Sequence, residues 1–181
     1  IYANRHQTWK RLDNEWLKKH KQDAIDISLT RRPFIRWFKA SVTHTISRFL
    51  YPILSKNVGI NTYSSQKASV FLDMLIQKHP GSADLVIGHG SGALYPAYRY
   101  ARQHNIPFAF DVEDYHPGER VHDPKGHEKQ RREFLLREIL PHAAFISYAS
   151  PLIGDYTLHL MQKPPKKHFL LNNAFPAEEF A

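Results

Sequence analysis

The sequence predicts an α/β fold, a parallel sheet whose strands alternate with helices on both faces. Three observations predict it. Short, nearly continuous apolar runs such as Asp84-Leu85-Val86-Ile87-Gly88 read as strands buried on both sides. Helix-length amphipathic stretches lie between them, bounded by capping and breaking residues. A chain of 181 residues with 42% hydrophobic and 23% charged content can bury one fair-sized core, which excludes a disordered, collagen-like or low-complexity chain.

The elements follow in order. Trp9 to His20 reads as a helix and Ala24 to Ser28 as a strand, with no strand before them. The opening Ile1-Tyr2-Ala3-Asn4-Arg5 has neither an initiator Met nor a signal-peptide layout, so the natural N-terminus is expected upstream and the first strand with it. Phe34, Trp37, Phe38, Val42, Ile46, Phe49, Leu50, Ile53 and Leu54 then recur at three- and four-residue steps, with Arg36, Lys39, Arg48 and Lys56 between them. They predict a basic amphipathic helix, ended or kinked near Pro52. Gln66 to Lys78 is a helix with Ala68, Phe71, Leu72 and Leu75 inward, stopped at His79-Pro80-Gly81.

From there the alternation is regular. The strand Asp84 to Gly88 leads through the turn His89-Gly90-Ser91-Gly92 into a helix from Leu94 to Gln103, with Asn105 suited to its exit. Pro107 to Val112 is a strand and Glu113 to Lys125 an irregular acidic segment. His127 to Leu140 is a helix supported by Glu128/Arg132 and Glu133/Arg137 pairs four apart. Ala143 to Tyr148 is a strand. Ser150-Pro151 supplies an N-cap and a first-turn proline for a helix running to Gln162, Pro164-Pro165 stops it, and His168 to Leu171 is the last strand. Right-handed crossovers make this a Rossmann-like α/β domain over residues 1–176, with 177–181 starting a linker. Ligands of such sheets sit beyond the carboxyl ends of the strands, so the turns after Gly88, Val112 and Tyr148 and the Asn172-Asn173 end should line one rim.

Charge is unevenly placed. Residues 1–56 carry 12 Lys/Arg against 4 Asp/Glu, and residues 57–181 carry 13 against 13, so the whole excess of +8 is N-terminal. The basic helix within residues 34–56 can pack its apolar stripe on its own domain. It can also rest on an anionic membrane surface, where each basic residue near the lipid contributes about 1 kcal/mol. A pI near 9.7 permits phosphate binding, but no zinc-finger spacing, RNP-type motif or helix-turn-helix is present, so no nucleic-acid partner is expected. The absence of cysteine excludes disulfides, thiolate zinc sites and cysteine nucleophiles and favours the cytoplasm. No apolar run reaches the ~18 to 20 residues needed to cross a bilayer.

The turn Gly88-His89-Gly90-Ser91-Gly92-Ala93 joins strand to helix, a geometry that can leave backbone N–H groups free for an oxyanion or a sugar hydroxyl. The same glycines can serve close helix-strand packing alone. A serine-hydrolase elbow fails on register, because Gly90 stands at the centre of the Gly88 to Gly92 frame. Asp111, Glu113 and Asp114 cluster at a strand end, followed by His116 and Glu119; they can orient hydroxyls, or else cap the next helix and pair with Arg120, Arg131 and Arg132. A phosphotransferase would need D-x-D where Asp111-Val112-Glu113 stands. The twelve histidines form no H-E-x-x-H pair or compact three-ligand spacing, so no metal is expected.

Two runs matter together: ADLVIGHGSGALYPA, from Ala83 to Ala97, and IPFAFDVEDYHPGE, from Ile106 to Glu119. With Ala149-Ser150-Pro151-Leu152-Ile153 and Leu171-Asn172-Asn173-Ala174-Phe175-Pro176, they resemble the acceptor domain of bacterial family 4-like glycosyltransferases of GT-B architecture, over residues 83–176. The resemblance implies one half of a GT-B fold, the acceptor side of a cleft whose donor domain would follow Ala181. It implies a nucleotide-sugar as donor substrate, no separate cofactor, and a glycan or lipid-linked acceptor in polysaccharide synthesis; the basic helix within residues 34–56 could bring such an enzyme to the inner face of a membrane that carries the acceptor. His89, Gly90, Ser91, Gly92, His116 and Glu119 would surround the acceptor. Glu113 and Asp114 stand where such enzymes often carry a His-Glu pair and are the catalytic candidates, Glu113 as a base, as a partner of an acceptor hydroxyl, or as a loop support. Residues 1–181 alone are expected to be inactive, since closing two domains on a cleft excludes water and positions the acceptor. The rival reading is a non-catalytic Rossmann-like module that binds a nucleotide or glycan.

Overall fold

The computed structural model describes residues 2–4, 15, 17–19, 26–28, 34–79, 83–119, 123 and 127–172. The chain forms two compact units, Ile1–Pro80 and Gly81–Ala181.

In the first unit, β1 (Tyr2–Asn4) pairs in parallel with β2 (Asp26–Ser28). The sequence predicted β2 and placed no strand at Tyr2, because three residues carry too little pattern to register. Of the predicted helix Trp9 to His20, the described residues Glu15 and 17–19 are helical. Helix α1 (Phe34–Leu50) ends one residue before Tyr51-Pro52, where the missing proline N–H stops the ladder. Its packed side is not the aromatic stripe. Ala40 and Ser47 are buried, while Phe34, Phe38, Val42, Ile46 and Phe49 stand exposed.

Helix α2 (Val58–Ser65) was not foreseen. Its segment is polar and shows no apolar period, and its polar groups bond within it. Asn57 caps it by accepting from Ile60 N–H at 2.9 Å, Asn61 Nδ2 donates to Ser55 O and Asn57 O, and Thr62 Oγ1 donates to Val58 O. Helix α3 (Lys67–Ile76) buries Val70 and Phe71 against Ala40, with Trp37, Tyr63 and Leu75 around them.

The second unit is α/β and Rossmann-like. Four strands, β3 (Val86–His89), β4 (Phe108–Val112), β5 (Phe145–Tyr148) and β6 (His168–Leu170), form an all-parallel sheet in the order β3-β4-β5-β6. Between them run α4 (Leu94–His104), α5 (His127–Ile139) and α6 (Pro151–His159), with 3₁₀ turns at His116–Gly118 and Leu140–His142. Each crossover advances one strand in the same direction, so right-handedness puts all three helices of this unit on the sheet face that carries Gly88, Phe110 and Tyr148, where the sequence predicts helices on both faces, and Ile87 on the other face is 57% exposed. Phe110, Val112, Ile139, Leu140 and Ile146 are fully buried. The opposite face carries Ile87, His89, Asp111, Ser147 and Phe169.

Local signals held closely. Asn105 ends α4 with φ 53°, the left-handed conformation asparagine tolerates. Ser150 Oγ accepts from Ile153 N–H at 3.3 Å, with Pro151 at the first helical position. Helix α6 stops at His159, three residues short of the expected Gln162, because Leu160 and Met161 tighten into 3₁₀ bonds to Thr157 and Leu158. Glu128 and Arg132 pair as expected, but Glu133 meets Lys129 at 3.7 Å and Arg137 meets Glu138 at 3.6 Å in place of the predicted Glu133/Arg137 bond.

Candidate functional site

Parallel register brings three side chains into one row. His89, the last residue of β3, pairs with Asp111 of β4, which pairs with Ser147 of β5. Paired residues of a parallel sheet point to one face, so the three lie side by side across three strands at the carboxyl edge. Glu113 lies two residues beyond Asp111 and reaches the same place. His89 Nδ1 is 3.0 Å from Asp111 Oδ2, and His89 Nε2 is 2.8 Å from Glu113 Oε2. Ser147 Oγ donates to Asp111 Oδ1 at 2.6 Å, so both oxygens of that carboxylate are held. A neutral imidazole has one N–H, and both contacts are hydrogen bonds only when a second proton is shared within the trio.

One donor atom from each of His89, Asp111 and Glu113 lies within 4.8 Å of the others. An imidazole nitrogen and two carboxylate oxygens suit a divalent cation such as zinc or manganese. The sequence expectation of no metal relied on local spacing, whereas this grouping comes from strand register.

A second cluster holds the glycine turn. Gly90 has φ 71°, with open space where a Cβ would stand, and this bend aims the Ser91 N–H at His116 Nε2, 3.1 Å away. The expected free backbone donor is therefore engaged at Ser91. Since an amide can only donate, His116 Nε2 accepts, and the ring proton sits on Nδ1 and is donated to Glu119 Oε1 at 2.6 Å. Arg132 Nη1 donates to Glu119 Oε2 and to His116 O, both at 2.6 Å, while its Nε donates to Glu128 Oε1 at 3.0 Å. Arg131 Nη1 adds a bond to Glu128 Oε2 at 3.3 Å, and Asp123 accepts from Glu128 N–H. A cavity of about 90 Å³ lies among His116, Glu119, Asp123, Glu128 and Arg132.

Partial burial alone would raise the Glu119 carboxyl; hydrogen bonds from His116 and Arg132, with the charge of the guanidinium, outweigh it and hold the group below its ordinary 4.5. A carboxyl depressed by folding stabilises the fold above its unfolded value and loses that contribution as pH falls through the lower folded value. Glu119→Gln is therefore expected to shift the urea midpoint downward at pH 7 and to differ little from wild type near pH 2. A midpoint difference that stays constant from pH 7 to pH 2 would remove Glu119 ionisation as its cause.

Asp114 adjoins the second cluster, its carbonyl accepting from His116 N–H at 2.9 Å. Its side chain is exposed and borders an open depression of about 430 Å³ with Tyr115, Glu119, Leu152, Ile153 and Tyr156. The rings of Tyr115 and Tyr156 lie 5.2 Å apart, tilted by 32°. Burial, then the charge of Glu133 and the neighbouring Tyr156, push the Tyr115 hydroxyl above its usual 10.0, so it stays a protonated donor at neutral pH.

No protein-family model, curated protein or solved structure matches this chain. The chemistry is therefore read from the groups themselves. Of the residues singled out in the sequence, His89 and Glu113 meet in the first cluster and Ser91, His116 and Glu119 in the second. Gly90 shapes the turn, Gly92 follows it half-buried, and Asn173 lies outside the described residues. Ser147 and Arg132 were not picked out as site residues. Arg131 bonds Glu128, and Asp111 bonds His89 and Ser147; among the described residues the predicted arginine pairing is met by Glu119 with Arg132, and Arg120 lies outside them.

Proposed function

We propose that this chain is the acceptor-side half of a GT-B glycosyltransferase, moving a sugar from a nucleotide-sugar donor to a glycan or lipid-linked acceptor. The observation that carries the reading is His89 held between Asp111 at 3.0 Å and Glu113 at 2.8 Å on the carboxyl edge of the sheet. When an acceptor hydroxyl attacks the anomeric carbon, a C–O bond forms, the bond to the leaving diphosphate breaks, and the hydroxyl proton needs a base within hydrogen-bond reach. Glu113 takes that proton, His89 shares it, and Asp111, fixed by Ser147, orients the ring. His116 and Glu119 act one step back, holding the Ser91 turn under the acceptor. Asp114 and the Tyr115/Tyr156 depression offer a carboxylate and two ring faces to a sugar. The family 4-like motifs supply the reaction class, and the ordered recurrence of several of them supports it.

The expected result for the 181-residue chain is binding of an oligosaccharide acceptor, with amide NMR shifts at His89, Gly90, Ser91 and Glu113, and no sugar transfer from a panel of nucleotide sugars. In the complete gene product, Glu113→Gln is expected to lower kcat by about 10² to 10⁴ with little change in acceptor KM. Acceptor shifts that map away from the carboxyl edge would overturn the site. Rim binding with no transfer by the complete gene product would make the chain a glycan-binding module.

A further inference from the structure

Helix α1 is packed back to front for a helix in water. Toward its own unit it turns Ala40 and Ser47, His44 Nδ1 lies 2.6 Å from Tyr63 O, and Lys67 Nζ sits 5.2 Å over the Trp37 ring. Away from the unit it turns Phe34, Ile35, Phe38, Val42, Ile46 and Phe49. Ile35 is 70% and Phe49 80% exposed, and Ile53 in the turn that follows is 78% exposed. At 3.6 residues per turn these six positions fill an arc of about 120° whose middle lies nearly opposite Ala40 and Ser47. Exposed apolar stripes of this length mark a surface that meets something.

The charge around the stripe says what it meets. From Asp26 to Asp73 the intervening sequence holds seven Lys/Arg (Arg31, Arg32, Arg36, Lys39, Arg48, Lys56 and Lys67) and no acid. On the helix, Lys39 and Arg48 border the apolar arc on its two sides, within roughly 40° of its edges. A second copy of the chain would bring this positive rim against itself. An anionic lipid leaflet complements both parts, taking the stripe at the acyl boundary while long basic side chains reach the phosphates. Among the described residues no helix is long and apolar enough to cross a membrane, so α1 would lie in the interface plane.

We propose that α1 is an in-plane docking helix for an anionic phospholipid surface, with Phe34, Phe38, Val42, Ile46 and Phe49 inserted and Lys39, Arg48 and Lys56 at the headgroups. The inference does not rest on the glycosyltransferase reading, because it is measured without any sugar. Vesicles of phosphatidylcholine with phosphatidylglycerol are expected to bind the chain on the order of a hundredfold more tightly than phosphatidylcholine alone, the effect of three basic residues at the surface, and raised salt should reverse the difference. Phe38→Asp with Phe49→Asp should abolish binding and leave the circular dichroism spectrum unchanged, since both side chains are exposed. Lys39→Glu should weaken anionic binding more than fivefold or so and leave neutral vesicles unaffected. Equal retention by the two vesicle types, or binding that survives the double Asp variant, would overturn the proposal. So would a lipid-free dimer, seen by sedimentation, that the double Asp variant dissolves.

Discussion

Phe110→Ala is expected to lower the unfolding free energy by about 3 to 5 kcal/mol, the usual range for removing a fully buried ring from a core that cannot collapse into the space. Phe110 sits at the centre of β4 with zero exposure, and Gly88 is its register partner in β3. A Cβ on Gly88 would stand 2.9 Å from Phe110 Cδ2 and 3.3 Å from Ala97 Cβ in α4, so the glycine lets ring and helix occupy the space beside the strand. Gly88→Ala should then destabilise by about 1 to 3 kcal/mol through overpacking. Both changes act on one ring, and so Gly88→Ala combined with Phe110→Leu should cost less than the sum of the two. Urea unfolding at constant m-value measures all four corners of the cycle. Additivity within about 0.5 kcal/mol would show that the ring moves aside freely. The consequence reaches the site, because His89 follows Gly88 directly. A shift of β3 that relieves the clash also moves the imidazole off Asp111.

The strands and helices of the second unit were readable because each is bounded by a residue with a local mechanism. Asn105 closes α4, Ser150-Pro151 opens α6, and the run Pro107 to Val112, apolar except for Asp111, is long enough only for a buried strand. Helix α2 lacked such a handle: its buried Asn61, Thr62 and Ser64 are polar, and only the backbone carbonyls they find in the fold reveal why they are inside. The stripe of α1 was legible but its direction was not, since periodicity tells which residues share a face and not what that face meets. The same limit governs the site. His89 and Glu113 were marked by their place at strand ends, whereas Ser147 joins them only through the pairing of Asp111 with Ser147 across β4 and β5. Residues so far apart in the chain become neighbours through register alone. Arg132 was hidden differently. Its i,i+4 bond to Glu128 made it look like an ordinary helix pair, and the turn that brings Glu119 and the His116 carbonyl to its other side is tertiary.

Arg132→Met is expected to cost about 3 to 5 kcal/mol, because it removes one member of a largely buried ion pair and the donor that three acceptors share. The Arg132 and Glu128 side chains are each 10% exposed, and Arg131 also reaches Glu128, at 3.3 Å. Three acceptors, Glu119 Oε2, Glu128 Oε1 and His116 O, converge on one guanidinium. Arg132→Lys keeps the charge but has no planar fork to serve donors in three directions, so it should recover only part of the loss. Pairing Arg132→Met with Glu128→Gln removes the carboxylate charge that Arg132 balanced, and the double variant should be more stable than Arg132→Met alone. Urea midpoints at pH 7 give the comparison, and a loss below about 1 kcal/mol for Arg132→Met would reduce the network to surface pairing. A purely structural role predicts nothing about the glycine turn, but this geometry does. With Arg132 gone, the carbonyl of His116 and the carboxylate of Glu119 lose their common anchor. The ring of His116 is then free to leave the Ser91 N–H, so the Ser91 amide should exchange with solvent faster relative to the core amides of β4 than it does in the wild-type chain.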